Sequence, residues 1–171
     1  MKGLNFGCGR NIYVSYEGYD MDNVDIQKGK DIDKSFDFNK FPYPIKNKTY
    51  DYILCDNVLE HLKFPDRVIE ELYRISKPGC IIKIIVPYCR SLLAYNDWQH
   101  CNFFNLRSIG LLVEGNDSYD INFKQNKRFK VDISLRPTFY GRLIPKFLRK
   151  YADYIFNEIH DLIIFKLEVK Q

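Results

Sequence analysis

With 171 residues, 46% hydrophobic and 28% charged, the chain can bury one core, and its composition is that of a globular protein rather than a disordered one. Five cysteines, none in a C-x-x-C pair, exclude a complete disulfide framework and argue against a cysteine zinc site. The N-terminal MKGLNFGCG lacks the apolar stretch of a signal peptide, and the longest apolar run, Ile81 to Cys89, is broken by Lys83 and Pro87. A cytoplasmic protein with reduced thiols is the expectation.

In chain order, Lys2–Phe6 reads as a short strand that stops at Gly7-Cys8-Gly9. Val24–Ile26 reads as a second, and the acidic stretch 31–38 holds a third, closed off by Pro42 and Pro44. Tyr50–Cys55 is an apolar, β-prone run suited to a buried strand. Asp66 is placed to cap a helix in which Val68, Leu72 and Ile75 repeat at helical spacing, ended by Lys77-Pro78-Gly79. Cys80–Val86 is almost continuously β-branched, the pattern of a strand covered on both faces.

Asn105 can cap a helix carrying Leu106, Ile109 and Leu112. Beyond it the pattern alternates over 121–123 and 129–135, with Gln125-Asn126 as a turn. Pro145 suits the first turn of a helix bearing Phe147, Leu148, Tyr151 and Ile155, and Leu162–Val169 closes the chain as a strand. The expected fold is α/β: one domain over 1–171, a largely parallel Rossmann-like sheet with helices on both faces and an antiparallel last strand. Residues 1–112 form its cofactor-binding half, and 113–171 supply the substrate side, the last strands and a basic helical insertion.

The turn after the first strand has a chemical reading. Glycine at Gly7 and Gly9 lets a ligand approach the backbone, and free N–H groups there favour an anion. Asp25, at the end of the next strand, can accept hydrogen bonds from ribose hydroxyls. A nicotinamide fingerprint needs a third glycine at position 12, where Ile12 stands. That argues against a dehydrogenase.

The ordered set LNFGCG, GYDMDNVDI, FDFNKFPYP, TYDYILCDNVLEHL and ELYRISKPGCIIKIIVP resembles class I S-adenosylmethionine-dependent methyltransferases of the type 11 kind, from Leu4 to about Leu112. The resemblance implies a methyltransferase with S-adenosylmethionine as cofactor. Asn5, Gly7, Cys8 and Gly9 would line its methionine and ribose side, and Asp25 would hold the ribose, with Ile26 against the adenine. Asp37 and Phe38 would meet the adenine edge, and Cys55, Asp56 and Asn57 would border the sulfonium and the substrate. The chain departs from the family at Asn5, often acidic, and at Asn11, often glycine. It also begins at the first strand, so a cover for the cofactor is expected from elsewhere in the chain or from a partner subunit in a homodimer.

Methyl transfer to a hydroxyl needs a base, and histidine titrates in the right range. His61 is the first candidate, His100 in the segment Trp98 to Phe104 the second, and His160 reads as structural. Asn57, Glu60 and His61 share one helix face, as in metal-dependent methyltransferases with an E-x-x-E-H signature. Asn57 replaces the first carboxylate and is a poor ligand, so no metal is expected.

From Lys124 to Lys150 nine basic residues face one acid, Asp132, against an overall charge of +4. Arg136, Arg142, Lys146, Arg149 and Lys150 can meet phosphate groups of a nucleotide-sugar, a lipid carrier or a membrane surface. The plainer reading is a helix that packs Phe147, Leu148 and Tyr151 into the core with a solvated basic face; the sharper one is an interfacial amphipathic helix. Single-stranded RNA suits basic residues interleaved with aromatics but ranks behind small-molecule, glycan-linked or lipid-linked acceptors. The expected function is methyl transfer to an oxygen or nitrogen of such an acceptor. The alternative is a non-catalytic Rossmann-like module with a basic partner-binding surface.

Overall fold

A computed structural model describes residues 1–114 and 127–170; the expected strand at 121–123 and the turn at 125–126 lie outside them. Strands β1 (Lys2–Phe6), β2 (Ser15–Tyr16), β3 (Tyr19–Asp25), β4 (Lys34–Ser35), β5 (Tyr50–Asp56), β6 (Ser76–Pro87), β7 (Phe129–Pro137) and β8 (His160–Val169) form one sheet. Its order is β2-β3-β1-β5-β6-β8-β7, with β4 beside β3. Strands β3, β1, β5 and β6 are parallel neighbours, and the last strand runs antiparallel to both β6 and β7. This is the largely parallel sheet with an antiparallel last strand that the sequence pattern led us to expect. The third strand is much shorter than the stretch 31–38, a two-residue pairing of Lys34 and Ser35 with Val24 and Asp25.

One face of the sheet carries helices α1 (Pro65–Ile75) and α2 (Ser108–Glu114). Strand alternation turns Leu4, Phe6, Ile53, Cys55, Ile82, Ile84, Phe165 and Leu167 onto this face, where Val68, Ile69, Leu72 and Ile75 of α1 meet them. Helix α1 starts at Pro65, and Asp66 lies in its first turn rather than at the cap. Proline presets the first helical φ, and the carboxylate there complements the helix dipole. The helix ends at Ile75, before Lys77-Pro78-Gly79, because its last carbonyls find partners elsewhere. Thr49 and Lys48 donate N–H bonds to Ile75 and Arg74, and the Ser76 hydroxyl donates to Leu72. β6 therefore starts at once and runs twelve residues. Asn105 caps α2 as expected, its side chain accepting from the N–H groups of Arg107 and Ser108.

The opposite face is covered over β1, β3 and β5 by a short extended strap, residues 8–16, rather than by a helix. Gly3 lets Met21 and Tyr19 close in, and Tyr13, Tyr16 and Tyr19 pack around Tyr52 and Leu54. The strap has one internal turn bond, from the Asn11 N–H to the Cys8 carbonyl, and beyond it a buried polar pair holds the strap. Asn23 Oδ1 accepts from the Tyr13 N–H and from Asn5 Nδ2, Asn23 Nδ2 donates to the Tyr13 carbonyl, and Asn5 Nδ2 also reaches the Asn11 carbonyl.

Between β7 and β8 the chain forms α3 (Phe139–Leu143) and α4 (Lys146–Ile155). Helix α3 has no clear apolar period; Thr138 caps it, its hydroxyl accepting from the Gly141 N–H. A side chain at Gly141 would run into the Ile159 carbonyl, so only glycine lets α3 sit against the start of β8. The expectation that α4 buries its apolar residues is overturned. Phe147 is 75% exposed, Tyr151 67% and Ile155 75%. The inward side of the helix is polar instead: Lys146, Arg149 and Asp153 line a cleft with Tyr88 and His160.

Asn23→Ala should loosen the strap and leave the Tyr13 N–H without its side-chain acceptor, at a cost of about 2–4 kcal/mol. Urea denaturation against the exposed control Val14→Ala checks this; equal midpoints would show that the strap does not depend on the pair.

Candidate active site

Register brings the candidate residues together. Phe6 stands level with Val24 of β3 and Cys55 of β5, so Gly7, Asp25 and Asp56 each follow one residue later, side by side at the carboxyl ends of three adjacent strands. With strands about 4.8 Å apart, the row spans about 10 Å. Open α/β sheets bind ligands at this edge.

Gly7 and Gly9 have φ of 73° and 50°, in the left-handed region that glycine enters freely. A Cβ on Gly7 would strike Val58, whereas one on Gly9 would meet nothing within 4 Å, so the second glycine faces open space. The Asp25 carboxylate ties this loop to its own strand: Oδ2 accepts from the Gly9 N–H at 2.8 Å and Oδ1 from the Gln27 N–H at 2.9 Å. Each oxygen keeps a second lone pair. Ile26 beside it is exposed, an apolar side chain next to a carboxylate at the sheet edge.

Not every expected residue presents its side chain here. Phe38 is buried and stacks on Phe6 with ring centroids 4.0 Å apart, so it supports the loop from below. Cys55 points into the core, because alternation on β5 turns Ile53 and Cys55 to the α1 side; burial pushes its thiol well above the ordinary range. Asn5 gives its amide hydrogens to the strap and to Asn23. Cys8 is nearly buried, with its thiol pushed up to about 11 by burial and the Asp25 charge. Asp37 accepts from the Asn39 N–H. Asp56 is held above the usual carboxylate range by burial and accepts from Asn57, which is exposed with a φ of 53°.

After β5 the chain makes a tight 3-10 turn, Leu59–His61. The Glu60 carbonyl accepts from the N–H groups of Cys101 and Asn102, which docks the segment after β6 onto the turn. That clamp sets the His61 and His100 rings edge to face, with centroids 4.7 Å apart. His100 Nδ1 lies 2.9 Å from the Ala94 carbonyl; a carbonyl only accepts, so this nitrogen carries hydrogen and Nε2 keeps the lone pair of the neutral ring. Burial and the neighbouring His100 charge hold His61 below its ordinary pKa. Among the described residues no group hydrogen-bonds either carboxylate oxygen of Glu60, which is 1% exposed, and burial raises its pKa from 4.5 to about 7. Donor atoms of Glu60, His61 and His100 lie within 4.8 Å of one another and could chelate one cation.

Residues 1–120 match the family model described as a methyltransferase domain. The chain belongs to that methyltransferase family. No curated protein sequence matches it. Among solved structures, a SAM-dependent methyltransferase from Archaeoglobus fulgidus superposes with a TM-score of 0.69 at 17% identity, over 97% of this chain and 85% of that one. Phosphoethanolamine N-methyltransferase 2 of Haemonchus contortus, in complex with S-adenosyl-L-methionine, gives 0.63 at 15% identity, over 100% of this chain and 50% of that one. A methyltransferase of Haloferax volcanii, in complex with the Trm112 activator, gives 0.64 at 12% identity, over 99% and 82%. At these identities the likeness is one of fold.

The methyltransferase's donor is S-adenosylmethionine, and the residues present fit it: an open glycine cradle, an acceptor carboxylate with spare lone pairs, and an exposed apolar side chain beside them. A second polar group escaped the sequence reading. His160 is buried with Nδ1 3.2 Å from Asp153 Oδ1, and the Tyr88 hydroxyl donates to Asp153 Oδ2 at 3.1 Å. The histidine expected to be structural thus sits in a buried chain of three polar side chains. Its partners come from α4 and from the end of β6, a pairing that no local spacing announces.

Glu60 predicts a pH signature. Its proton is held more tightly in the folded state than in the unfolded one, so its contribution is intact below about pH 4.5. Stability is then lost as pH rises to about 7, by up to about 3 kcal/mol. In EDTA, Glu60→Gln should flatten this decline and be the more stable protein at pH 8 in thermal melts. Parallel profiles would show that Glu60 is not held protonated.

Proposed function

We propose that this methyltransferase transfers a methyl group to an oxygen or nitrogen of a small, sugar or lipid-linked acceptor, with residues 1–112 holding the donor and the histidine pair and 113–171 adding to the acceptor side. The observation that carries the reading is the juxtaposition of two parts: a donor cradle of Gly7, Gly9, Asp25 and Ile26, and a histidine pair formed by His61 on the turn after the adjacent strand β5 and His100 on the segment after β6. The donor supplies a methyl group on a cationic sulfur, so the protein's tasks are to orient it, exclude water and take the acceptor's proton.

Asp25 accepts from the ribose hydroxyls through its free lone pairs, and Ile26 covers the adenine. The Gly9 N–H stays on Asp25, so the loop is already organised before binding. Asp37 borders the adenine edge, and Asp56 and Asn57 border the transferred group. His100 is the better placed base: its Nδ1 hydrogen is committed to Ala94, which leaves Nε2 to receive a proton. His61, held below its ordinary pKa by burial and its neighbour, is the second candidate. Trp98, 89% exposed, and the stacked Tyr95–Phe103 pair next to His100 offer flat apolar surfaces on which a sugar ring or a planar acceptor can lie.

Calorimetric titration with S-adenosylmethionine and S-adenosylhomocysteine should show saturable binding, weakened about tenfold or more in Asp25→Ala. Absence of binding to the intact protein would remove the donor assignment. With an acceptor in hand, His100→Ala should lower turnover by about 100-fold or more and leave donor affinity unchanged. A larger loss in His61→Ala would reverse the two roles.

A further inference from the structure

Helix α4 is amphipathic and faces the wrong way for a core helix. Phe147, Tyr151 and Ile155 recur every four residues on its solvent side, while Lys146, Arg149 and Asp153 recur on the side that faces the protein. Three exposed rings and branched chains on one helix are costly to hydrate, and α3 adds Phe139, Tyr140 and Leu143, each more than 70% exposed. Arg149 ties the two helices together, donating to the Ile144 and Arg142 carbonyls.

The charges on this element have one sign. Neither helix carries an acid on its outer surface: α3 has none, and Asp153, the acid in α4 whose side chain is described, turns inward to His160 and Tyr88. The cleft beneath α4, about 400 Å³, is lined by Arg90, Lys146 and Arg149, and among the described residues no carboxylate pairs with any of the three. Its one carboxylate is already engaged. A cleft with three unneutralised cations is complementary to an anionic group of phosphate size. Two copies of the chain meeting through this face would bring like charges together, which disfavours a second copy as the occupant.

We propose that α3 and α4 seat the protein on an anionic lipid bilayer, with their aromatic and aliphatic outer side in the acyl boundary and a lipid phosphate in the Arg90–Lys146–Arg149 cleft. The inverted helix then has a physical reason: its apolar side meets hydrocarbon, and its basic side meets headgroups. The docking surface lies at the same end of the sheet as the histidine pair, since Tyr88 follows β6 and His160 opens β8. Binding to the surface does not depend on methyl transfer, so its test is separate from that of the catalytic reading.

Co-sedimentation with vesicles of phosphatidylcholine, with and without a third phosphatidylglycerol, tests it on the intact chain. The wild type should partition to the anionic vesicles more strongly by about tenfold to a hundredfold, with the gap closing in high salt. Phe147→Ser with Tyr151→Ser should abolish binding to both compositions, and Arg90→Ala with Lys146→Ala should remove the preference for the anionic ones. Both pairs are measured only at unchanged thermal midpoint, and single Tyr151→Ser stands in where the double variant melts early. Failure of the wild type to bind anionic vesicles overturns the proposal. So does a dimer in analytical ultracentrifugation that the Phe147 and Tyr151 changes dissolve, because that face is then a self-interface.

Discussion

The buried bond between Asn5 and Asn23 is the constraint on which the donor half is built. Parallel strands β1 and β3 must be joined across the sheet, and here the connection is an extended strap instead of a helix. A strap offers unpaired N–H and C=O groups to the sheet face, and burying those without partners is costly. Two asparagine side chains, each acting as donor or acceptor toward the strap, satisfy them. With the strap pinned, tyrosines 13, 16 and 19 can shelter Tyr52 and Leu54, and the Gly7–Gly9 turn is left in one position.

From that turn the geometry of the site follows almost without further choice. In-register parallel pairing aligns the ends of β1, β3 and β5, so the glycines and two carboxylates arrive together. Asp25 then closes the arrangement by accepting from Gly9 and Gln27. The same carboxylate that organises the loop retains the lone pairs a diol would need. Support and recognition are carried by one group, which explains why the cradle is compatible with open space at Gly9.

The acceptor end has a different character, because groups there are held in environments that do not suit them. Among the described residues Glu60 has no hydrogen-bond partner for either oxygen, two histidines share one small space, three cations outnumber the one carboxylate lining their cleft, and α4 turns its apolar side outward. Each of these raises the energy of the isolated protein. They cluster at one end of the sheet, where β5 and β6 finish and β8 begins.

What the sequence by itself determined is local. Short β-prone runs marked β1, β5 and β8 and alternation marked β7, each within a few residues, Asn105 announced the cap of α2, and the ordered glycine, acidic and strand motifs identified the family and its donor. Such features depend on neighbours a few positions away. Only the tertiary structure decided which side chains face the site. Phe38 and Cys55 belong to the core because β5 and the loop after β4 present that face to α1. His160 acquires Asp153 and Tyr88 because α4 folds back over the end of β6. The orientation of α4 could not be read from its own period, since the same amphipathic pattern serves a core or a bilayer. Which of the two it meets depends on what else occupies the sheet face beside it.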